Sequence, residues 1–342
     1  MSICAAILGC AGPTLTAQER AFFRSVRPWG FILFGRNVAG GPDQVRALTR
    51  ELRETVGRAD APILIDQEGG RVQRLGPPNW RRYPPGRAYG DLAGNDPLLR
   101  REITRLGARL IAHDLSALGI NVDCVPVLDV PDPSGHEIIG DRAYGRTADE
   151  VAVLGRAAAE GLIAGGVLPI VKHIPGHGRA MADSHLELPV VSASFDDLDA
   201  IDFATFKALS DMPMAMTAHV IYSAVDAKRP ATTSRSVMRR VVRGAIGFDG
   251  LVMSDDLSMK ALSGDFPERA RASLAAGCDV VLHCNGDMGE MKAVVSGARD
   301  LVGKPARRAA AALARLAKVP EPFDAAEGRA RFDAAFQGRW AA

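Results

Sequence analysis

The stretch Val167-Leu-Pro-Ile-Val171 is followed directly by Lys172-His-Ile-Pro-Gly-His-Gly178. Five apolar residues in succession are typical of a strand that is buried on both faces, as parallel strands are. The polar residues begin where the apolar run stops, so we expect them at the carboxyl end of the strand. In barrels of parallel strands the loops at that end carry the chemistry. The stretch therefore predicts a parallel strand and a functional loop after it.

Seven further apolar runs resemble this strand, and helical patterns separate them. In chain order the eight runs are Cys4–Gly9, Gly30–Phe34, Pro62–Ile65, Ile120–Val125, Val167–Val171, Pro213–Thr217, Leu251–Ser254 and Asp279–His283. Strands that alternate with helices predict the α/β class and a (β/α)8 TIM barrel. The alternative is an open doubly wound sheet, which usually has a GxGxxG loop after its first strand. Gly9-Cys-Ala-Gly-Pro13 lacks that spacing, which favours the barrel.

Helix signals support the same organisation. Asp96-Pro97 has the residue types of an N-cap and a first helical position, and Thr147-Ala-Asp-Glu150 matches a capping box. Aromatic residues four positions apart in the tail Phe323–Trp340 predict an amphipathic helix that covers its own barrel. No Ser/Gly linker interrupts the chain, so we expect one domain over residues 1–342. The barrel would occupy about 3–302 and a helical tail about 303–342.

Composition excludes several classes of protein. Lys plus Arg number 42 and Asp plus Glu 40, a net charge of +2 that argues against nucleic-acid binding and a polybasic membrane anchor. No apolar run approaches the ~18 residues of a membrane span. Five Cys without CxxC spacing predict buried free thiols in a reducing compartment. No basic residue precedes Arg20, as a signal peptide would require, so we expect a cytoplasmic protein.

The histidines after the fifth strand allow three interpretations. His173 and His177 have a spacing that binds zinc on a helix, but Pro175-Gly176 between them disfavours a helix. They could instead only hydrogen-bond a turn. Alternatively, Asp183 and His185 could form a carboxylate–imidazole pair that transfers a proton near neutral pH. The many functional side chains in this loop favour the third interpretation.

Asp255 follows the seventh apolar run. A carboxylate at the carboxyl end of a barrel strand is well placed as a nucleophile or a base. Asp256 is its rival, since adjacent strand residues point to opposite sides. We expect one of the two to act in the site and the other to cap the following turn.

Five further charged residues follow predicted strands and would surround the same barrel mouth. They are Asp66, Arg74, Arg142, Lys172 and His173. Basic side chains of three types together with one carboxylate suit a substrate rich in hydroxyl and amide groups. They suit a phosphorylated substrate less well, because a phosphate site would usually include a Gly-rich loop. The alternative is that each of these residues is a solvated surface charge without a functional role.

Taken in order, these motifs resemble glycoside hydrolase family 3 β-N-acetylglucosaminidases. The motifs that carry the resemblance are Asp66-Gln-Glu-Gly-Gly-Arg-Val-Gln-Arg74, Ile139-Gly-Asp-Arg142, Lys172-His-Ile-Pro-Gly-His-Gly178 with Asp183-Ser-His185, Met216-Thr-Ala-His219 and Ser254-Asp-Asp-Leu-Ser-Met259. The match spans roughly residues 5 to 300. The short form is similar to the cytoplasmic β-hexosaminidase of Gram-negative peptidoglycan recycling. That enzyme removes GlcNAc from muropeptides carrying 1,6-anhydro-N-acetylmuramic acid (anhydroMurNAc).

The resemblance implies roles for individual residues. Asp255 would be the nucleophile of a retaining double displacement, and His185 the acid and then the base, with Asp183 as its partner. Asp66, Arg74, Arg142, Lys172 and His173 would bind GlcNAc. The resemblance implies no cofactor and no metal ion, a GlcNAc-containing saccharide as substrate, no nucleic-acid or membrane partner, and a monomer.

The sequence also allows four other functions, the last of them disfavoured. Within the family, the chain could be a β-glucosidase, or a phosphorylase, since a neutral histidine base repels phosphate less than a carboxylate does. A metal-dependent amidohydrolase would use His173, His177 and Asp255 as ligands. A barrel that only binds carbohydrate is disfavoured by the full set of catalytic residue types.

Overall fold

Eight parallel strands close into a barrel in the computed structural model, which describes residues 2–92, 96–133, 135–184, 186–317 and 319–340. The strands are Cys4–Leu8, Pro28–Leu33, Ile63–Ile65, Val122–Asp123, Leu168–Ile174, Met214–Thr217, Leu251–Asp256 and Val280–His283. Each lies beside its neighbour in sequence, and the first pairs with the eighth, Leu8 opposite His283. The predicted barrel is confirmed, and closure rules out the open sheet.

The strands form where the sequence predicts them because their side chains are buried on both faces. Each of the eight predicted runs overlaps one barrel strand. The fifth strand, however, continues to Ile174, beyond the predicted end at Val171. Lys172 and His173 therefore belong to the strand, and both are buried. Carboxylates beside them compensate for the loss of water, as buried charges require.

Helices surround the barrel and follow most of its strands. The α-helices are Ala17–Val26, Gly35–Val38, Pro42–Val56, Gly86–Gly90, Pro97–Ser116, Ala148–Ala164, Phe195–Asp197, Phe203–Ala208, Arg235–Val237, Phe266–Ala276, Met288–Gly297, Gly303–Ala314 and Ala325–Ala335. Leu198–Asp202 and Met238–Ala245 are π-helical, and Gly140–Arg142, Ala231–Thr233 and Arg315–Ala317 are 3-10 turns. Two small sheets lie outside the barrel, one pairing Gln67–Gly69 with Val72–Gln73 and the other Val190–Val191 with Ile221–Tyr222.

The predicted helix starts are confirmed. The Asp96 carboxylate accepts hydrogen bonds from the first turn of Pro97–Ser116, and Thr147 with Glu150 forms the capping box of Ala148–Ala164. Each cap satisfies amide groups that would otherwise have no partner at the helix start. The boundaries of these helices therefore follow from local side-chain chemistry.

The tail forms the predicted helix, Ala325–Ala335, which packs against Pro97–Ser116. Phe332 is fully buried, and its ring centroid lies 6.2 Å from that of Tyr83. Arg81 joins the two layers through an ion pair with Asp333. The tail is thus part of the barrel's outer wall.

The five cysteines are free and buried, as predicted. Burial, with a contribution from the Asp279 carboxylate, raises the pKa of the Cys278 thiol to about 12, so it stays protonated at neutral pH. Over the described ranges, none of the helices combines the length and the apolar character needed to cross a membrane.

Candidate active site

One cavity of about 510 Å³ lies at the carboxyl ends of the barrel strands. Six of the residues predicted from the sequence line it: Asp66, Arg74, Arg142, Lys172, His173 and Asp255. They come from loops and strand ends that are far apart in the chain. Parallel strands bring them together because all their carboxyl ends meet at one face of the barrel.

Lys172 lies at the centre of an ion cluster on the cavity wall. Its Nζ lies 3.0 Å from Oδ1 of Asp66 and 2.7 Å from Oε1 of Glu68. Arg74 Nη2 lies 3.1 Å from Oδ2 of Asp66, and Arg142 donates to both oxygens of Glu68 at 2.8 and 2.9 Å. Two carboxylates thus alternate with three cations, which fixes all five side chains.

The cluster keeps its charges despite burial. Burial alone would raise the pKa of the Asp66 carboxyl, but Lys172 and Arg74 outweigh it and hold the pKa well below its usual range. In the same way Arg142 and Lys172 lower the pKa of Glu68 to about 2, against the effect of burial. Burial would lower the pKa of Lys172, yet the Glu68 and Asp66 carboxylates raise it above the ordinary lysine value. A substrate therefore meets permanently charged donors and acceptors at neutral pH.

Asp129 organises the segment that follows Lys172. Its Oδ1 accepts the backbone N–H groups of His173 at 3.1 Å and His177 at 2.7 Å, and its Oδ2 lies 2.7 Å from Nδ1 of His173. Burial would raise the pKa of the Asp129 carboxyl, but the two histidines lower it to about 2. The carboxylate is therefore an acceptor only, so Nδ1 of His173 carries the hydrogen, and Nε2 is the ring atom not engaged by Asp129.

Asp255 is the penultimate residue of the seventh strand, and its side chain lines the cavity. Its Oδ1 accepts the backbone N–H of Asp256 at 2.8 Å. Burial would raise the pKa of this carboxyl, but His219, His173 and that hydrogen bond lower it. Asp255 is therefore ionised at neutral pH, as a carboxylate nucleophile must be.

Asp256 has a different task, although it also touches the cavity. Its Oδ1 accepts the backbone N–H groups of Ser258 at 3.1 Å and Cys284 at 3.2 Å. These bonds hold the turn after the seventh strand against the end of the eighth. These are the contacts of a turn cap, and the role of Asp255 in the site stays a prediction.

The loop predicted to carry the acid is described up to Ser184 and again from Leu186; His185 lies outside the described residues. Asp183 is not among the residues that line the cavity, whereas Ser184 is. The Asp183 carbonyl accepts the N–H groups of Leu186 at 2.9 Å and Glu187 at 3.0 Å. The pairing of Asp183 with His185 stays a prediction.

The family model "Glycosyl hydrolase family 3 N terminal domain" matches residues 17–319 of the chain. The chain belongs to glycosyl hydrolase family 3. A curated relative from Methylococcus capsulatus, named beta-hexosaminidase, is 42% identical over 278 residues, 80% of each chain. One from Bordetella avium with the same name is 40% identical over 281 residues, 80% of this chain and 79% of the relative.

Solved structures of family 3 proteins have the same fold. NagZ from Neisseria gonorrhoeae, in complex with N-trifluoroacetyl-D-glucosamine, is 32% identical, with a TM-score of 0.86 and 98% of both chains covered. A family 3 β-N-acetylglucosaminidase from Paenibacillus is also 32% identical, with a TM-score of 0.85 and coverage of 98% of this chain and 67% of its own. The similarity thus extends over the whole barrel and the tail.

Sequence reasoning missed two residues of this family 3 site, Glu68 and Asp129. Glu68 is two residues after Asp66, the spacing that places extended residues on one side, so alternation could have identified it. Asp129 follows the fourth strand by six residues, and no local pattern distinguishes it from a turn residue. Its role depends on His173 and His177, which lie more than forty residues later.

The zinc interpretation of His173 and His177 finds no support in the described residues of the family 3 chain. No group of three or more His, Cys, Asp or Glu side chains among them is placed to hold a metal ion. Nδ1 of His173 is bonded to Asp129, and Nε2 of His177 lies 3.1 Å from Oγ of Ser184. The rings meet edge to face, with centroids 5.7 Å apart, rather than converging on one point.

Proposed function

We propose that the chain is a retaining exo-β-N-acetylglucosaminidase in which Asp255 is the nucleophile. The observation that carries this proposal is the ionised Asp255 carboxylate at a strand end, in the same cavity as the charged cluster around Lys172. The names of the relatives, β-hexosaminidase and β-N-acetylglucosaminidase, support the identity of the sugar. As a member of family 3 the chain is a glycoside hydrolase.

In the first step an oxygen of Asp255 attacks the anomeric carbon of GlcNAc. The bond from that carbon to the aglycone oxygen breaks, and His185, oriented by Asp183, donates its proton to the leaving oxygen. In the second step the neutral His185 takes a proton from water. The water oxygen then displaces the Asp255 carboxylate from the anomeric carbon. Two inversions give GlcNAc with retained configuration.

The proposed sugar-binding residues have donors and acceptors suited to hydroxyl and acetamide groups. Lys172 carries three N–H bonds, of which Asp66 and Glu68 accept two, and the third is available to a sugar hydroxyl. Asp66, already bound by Arg74 and Lys172, retains acceptor capacity. Nε2 of His173, which Asp129 does not engage, is proposed as a further polar contact to the sugar.

We further propose anhydroMurNAc muropeptides as the substrate, peptidoglycan recycling as the process, the cytoplasm as the location and a monomer as the active form. The resemblance of the motifs at Lys172–Gly178 and Ser254–Met259 to the recycling enzyme supports these assignments, and five free thiols fit a reducing compartment. Cell fractionation and light scattering of the purified protein test the location and the monomer.

The nucleophile is tested by trapping with a 2-fluoro glycosyl substrate whose glycosyl enzyme hydrolyses slowly. Intact-mass analysis and peptide mapping should locate one glycosyl group on Asp255. Asp256 lies in the same peptide and is the internal control. Label on Asp256, or an unlabelled protein that still turns over the substrate, contradicts the assignment.

The substrate is tested by product analysis of purified anhydroMurNAc muropeptides beside chitobiose and an aryl β-glucoside. GlcNAc released fastest from the muropeptides supports the proposal. Faster release of glucose would make the chain a β-glucosidase, and GlcNAc 1-phosphate formed only with added phosphate would make it a phosphorylase. Loss of activity with EDTA, restored by a metal ion, would favour the amidohydrolase alternative.

A further inference from the structure

A second cavity, of about 570 Å³, lies beside the active site between two loops and a helix. The loops follow the sixth and seventh strands, and the helix is Phe266–Ala276. We call it the basic groove and define it by the residues that the argument uses: Leu188, Lys228, Arg229, Arg235, Ala261 and Arg269. Four of the fifteen residues that line the cavity carry a positive charge, and one, Glu268, carries a negative charge.

The positive charges at the rim of the groove lie outside the ion pairs of the described residues, although the nearby Asp226 carboxylate partly offsets the charge of Arg229. Lys228, Arg229 and Arg235 are exposed, and they form none of the ion pairs found among the described residues. Asp226, next to them, uses Oδ1 to accept the backbone N–H groups of Lys228 at 3.0 Å and Arg229 at 3.2 Å. The turn is thereby fixed, and the two cationic side chains leave it from defined positions.

Arg269 contributes a fixed positive charge to the same groove. Its Nε donates to the Gly264 carbonyl at 3.0 Å and its Nη1 to the Leu257 carbonyl at 2.7 Å. These two acceptors are neutral and orient the guanidinium, while the Asp256 and Asp265 carboxylates interact with it without forming an ion pair. The groove's own acid, Glu268, accepts the N–H of Asp265 at 3.1 Å in the capping box of its helix. The groove is therefore prepared for an anion before any ligand arrives.

A thin partition separates the groove from the active site. The N–H of Ala261, which lines the groove, donates to the Ser184 carbonyl at 3.3 Å, and Ser184 lines the active-site cavity. Leu188, four residues after Ser184, lines the groove as well. The loop predicted to carry the acid thus has the glycosidic site on one side and the basic groove on the other.

We propose that the basic groove binds the carboxylates of a peptide attached to the aglycone of the substrate. Guanidinium and ammonium groups form strong charge-assisted hydrogen bonds with carboxylates. A peptide of three extended residues spans roughly 10 Å, and the walls of the two cavities are joined directly by the hydrogen bond from Ala261 to Ser184. A neutral aglycone such as GlcNAc has no carboxylate for these cations, and anhydroMurNAc without a peptide has only the one of its lactyl group. The groove therefore favours substrates whose peptide carries several carboxylates. The inference rests on the proposed function, because it requires an aglycone that carries a peptide.

The test compares two substrates that differ only in the peptide, GlcNAc–anhydroMurNAc with and without an acidic tripeptide. Lys228→Glu/Arg229→Glu reverses two charges of the rim. The matched control Arg239→Glu/Arg240→Glu makes the same change of net charge at two exposed arginines outside the groove. kcat/KM is measured for both substrates at low and high salt, and turnover of the peptide-free substrate reports correct folding.

We expect the unaltered protein and the control to favour the peptide-bearing substrate by about tenfold at low salt, a preference that salt weakens. Lys228→Glu/Arg229→Glu should lose this preference and keep its kcat/KM for the peptide-free substrate. Equal preference in all three proteins, or an equal loss in the control, overturns the inference and leaves the proposed function intact. Cleavage of chitobiose but of neither anhydroMurNAc compound overturns the proposed substrate, and the inference with it.

Discussion

Nε2 of His177 lies 3.1 Å from Oγ of Ser184. This contact joins the start of the loop after the fifth strand to its tip, where Ser184 stands between Asp183 and His185. His177 is itself tied to Asp129 through its backbone N–H. Ser184 is therefore coupled to the carboxylate that orients His173, a proposed sugar-binding residue.

His177 should make the protein sensitive to acid. Burial, reinforced by His173, lowers the pKa of His177 to about 4, whereas an unfolded histidine has a pKa of about 6.5. The unfolded chain binds more protons between these pH values, so stability is full above pH 6.5 and falls as pH decreases towards 4. A pKa difference of this size corresponds to about 3 kcal/mol.

We therefore expect His177→Gln to lose less stability than the unaltered protein between pH 7 and pH 4, measured by urea unfolding. Glutamine can still donate to Ser184, so the loop contact is kept. His113→Gln, at an exposed histidine, is the control and should follow the unaltered protein. Parallel curves for His177→Gln and the unaltered protein would show that His177 does not cause the acid sensitivity.

The loss of activity caused by His185→Ala should depend on the leaving group of the substrate. A general acid contributes about 10²–10⁴-fold when the leaving oxygen needs a proton, and much less when the leaving group is an activated phenol. We expect chitobiose hydrolysis to fall about 10³-fold and aryl glycoside hydrolysis less than about tenfold, measured as kcat/KM. Equal losses on both substrates would count against His185 as the acid.

The ion cluster should respond non-additively to substitution. Lys172→Met leaves Asp66 and Glu68 with one cation fewer in a buried site, and we expect a loss of about 3–5 kcal/mol in the free energy of unfolding. Glu68→Gln removes one of those carboxylate charges, so the double variant should lose less than the sum of the two single variants. Additive losses in urea unfolding would indicate that the two side chains act independently.

The tail should be needed for stability rather than for chemistry. Phe332→Ala empties a fully buried site beside Tyr83 and Tyr89, and we expect a loss of about 3–5 kcal/mol. Arg331→Ala, on the exposed side of the same helix, should cost less than about 1 kcal/mol. kcat of the folded Phe332→Ala protein should be unchanged. A stability equal to that of Arg331→Ala would contradict packing of the tail on the barrel.

The barrel could be predicted from the sequence because buried parallel strands are nearly continuous apolar runs, and each of the eight runs overlaps a strand. The gathering of Asp66, Lys172 and Asp255 in one cavity followed from the same argument, since all three lie at carboxyl ends of strands. The apolar pattern predicts where a strand ends only if the strand contains no buried charged residue. The fifth strand ran past its predicted end because Lys172 finds its partners across the barrel.

The partnerships inside the site could not be predicted from local patterns. Glu68 pairs with Arg142 and Asp129 with His173, each across dozens of residues. Such contacts depend on which strand ends become neighbours and in what register, and an aspartate that organises a site resembles one that ends a turn. The roles of Asp183 and His185 stay predictions, because they depend on a side chain outside the described residues.

The seam of the barrel, where the first strand pairs with the eighth, has a consequence for the synthesis of the protein. Leu8 pairs with His283, so the last pairing that closes the sheet must wait until nearly the whole chain has left the ribosome. Contacts this distant in sequence form slowly, since the intervening chain has to be ordered first. Lys172 and Asp255 cannot be held in one cavity before that moment. Recovery of glycosidase activity during refolding would therefore time the closing of the seam.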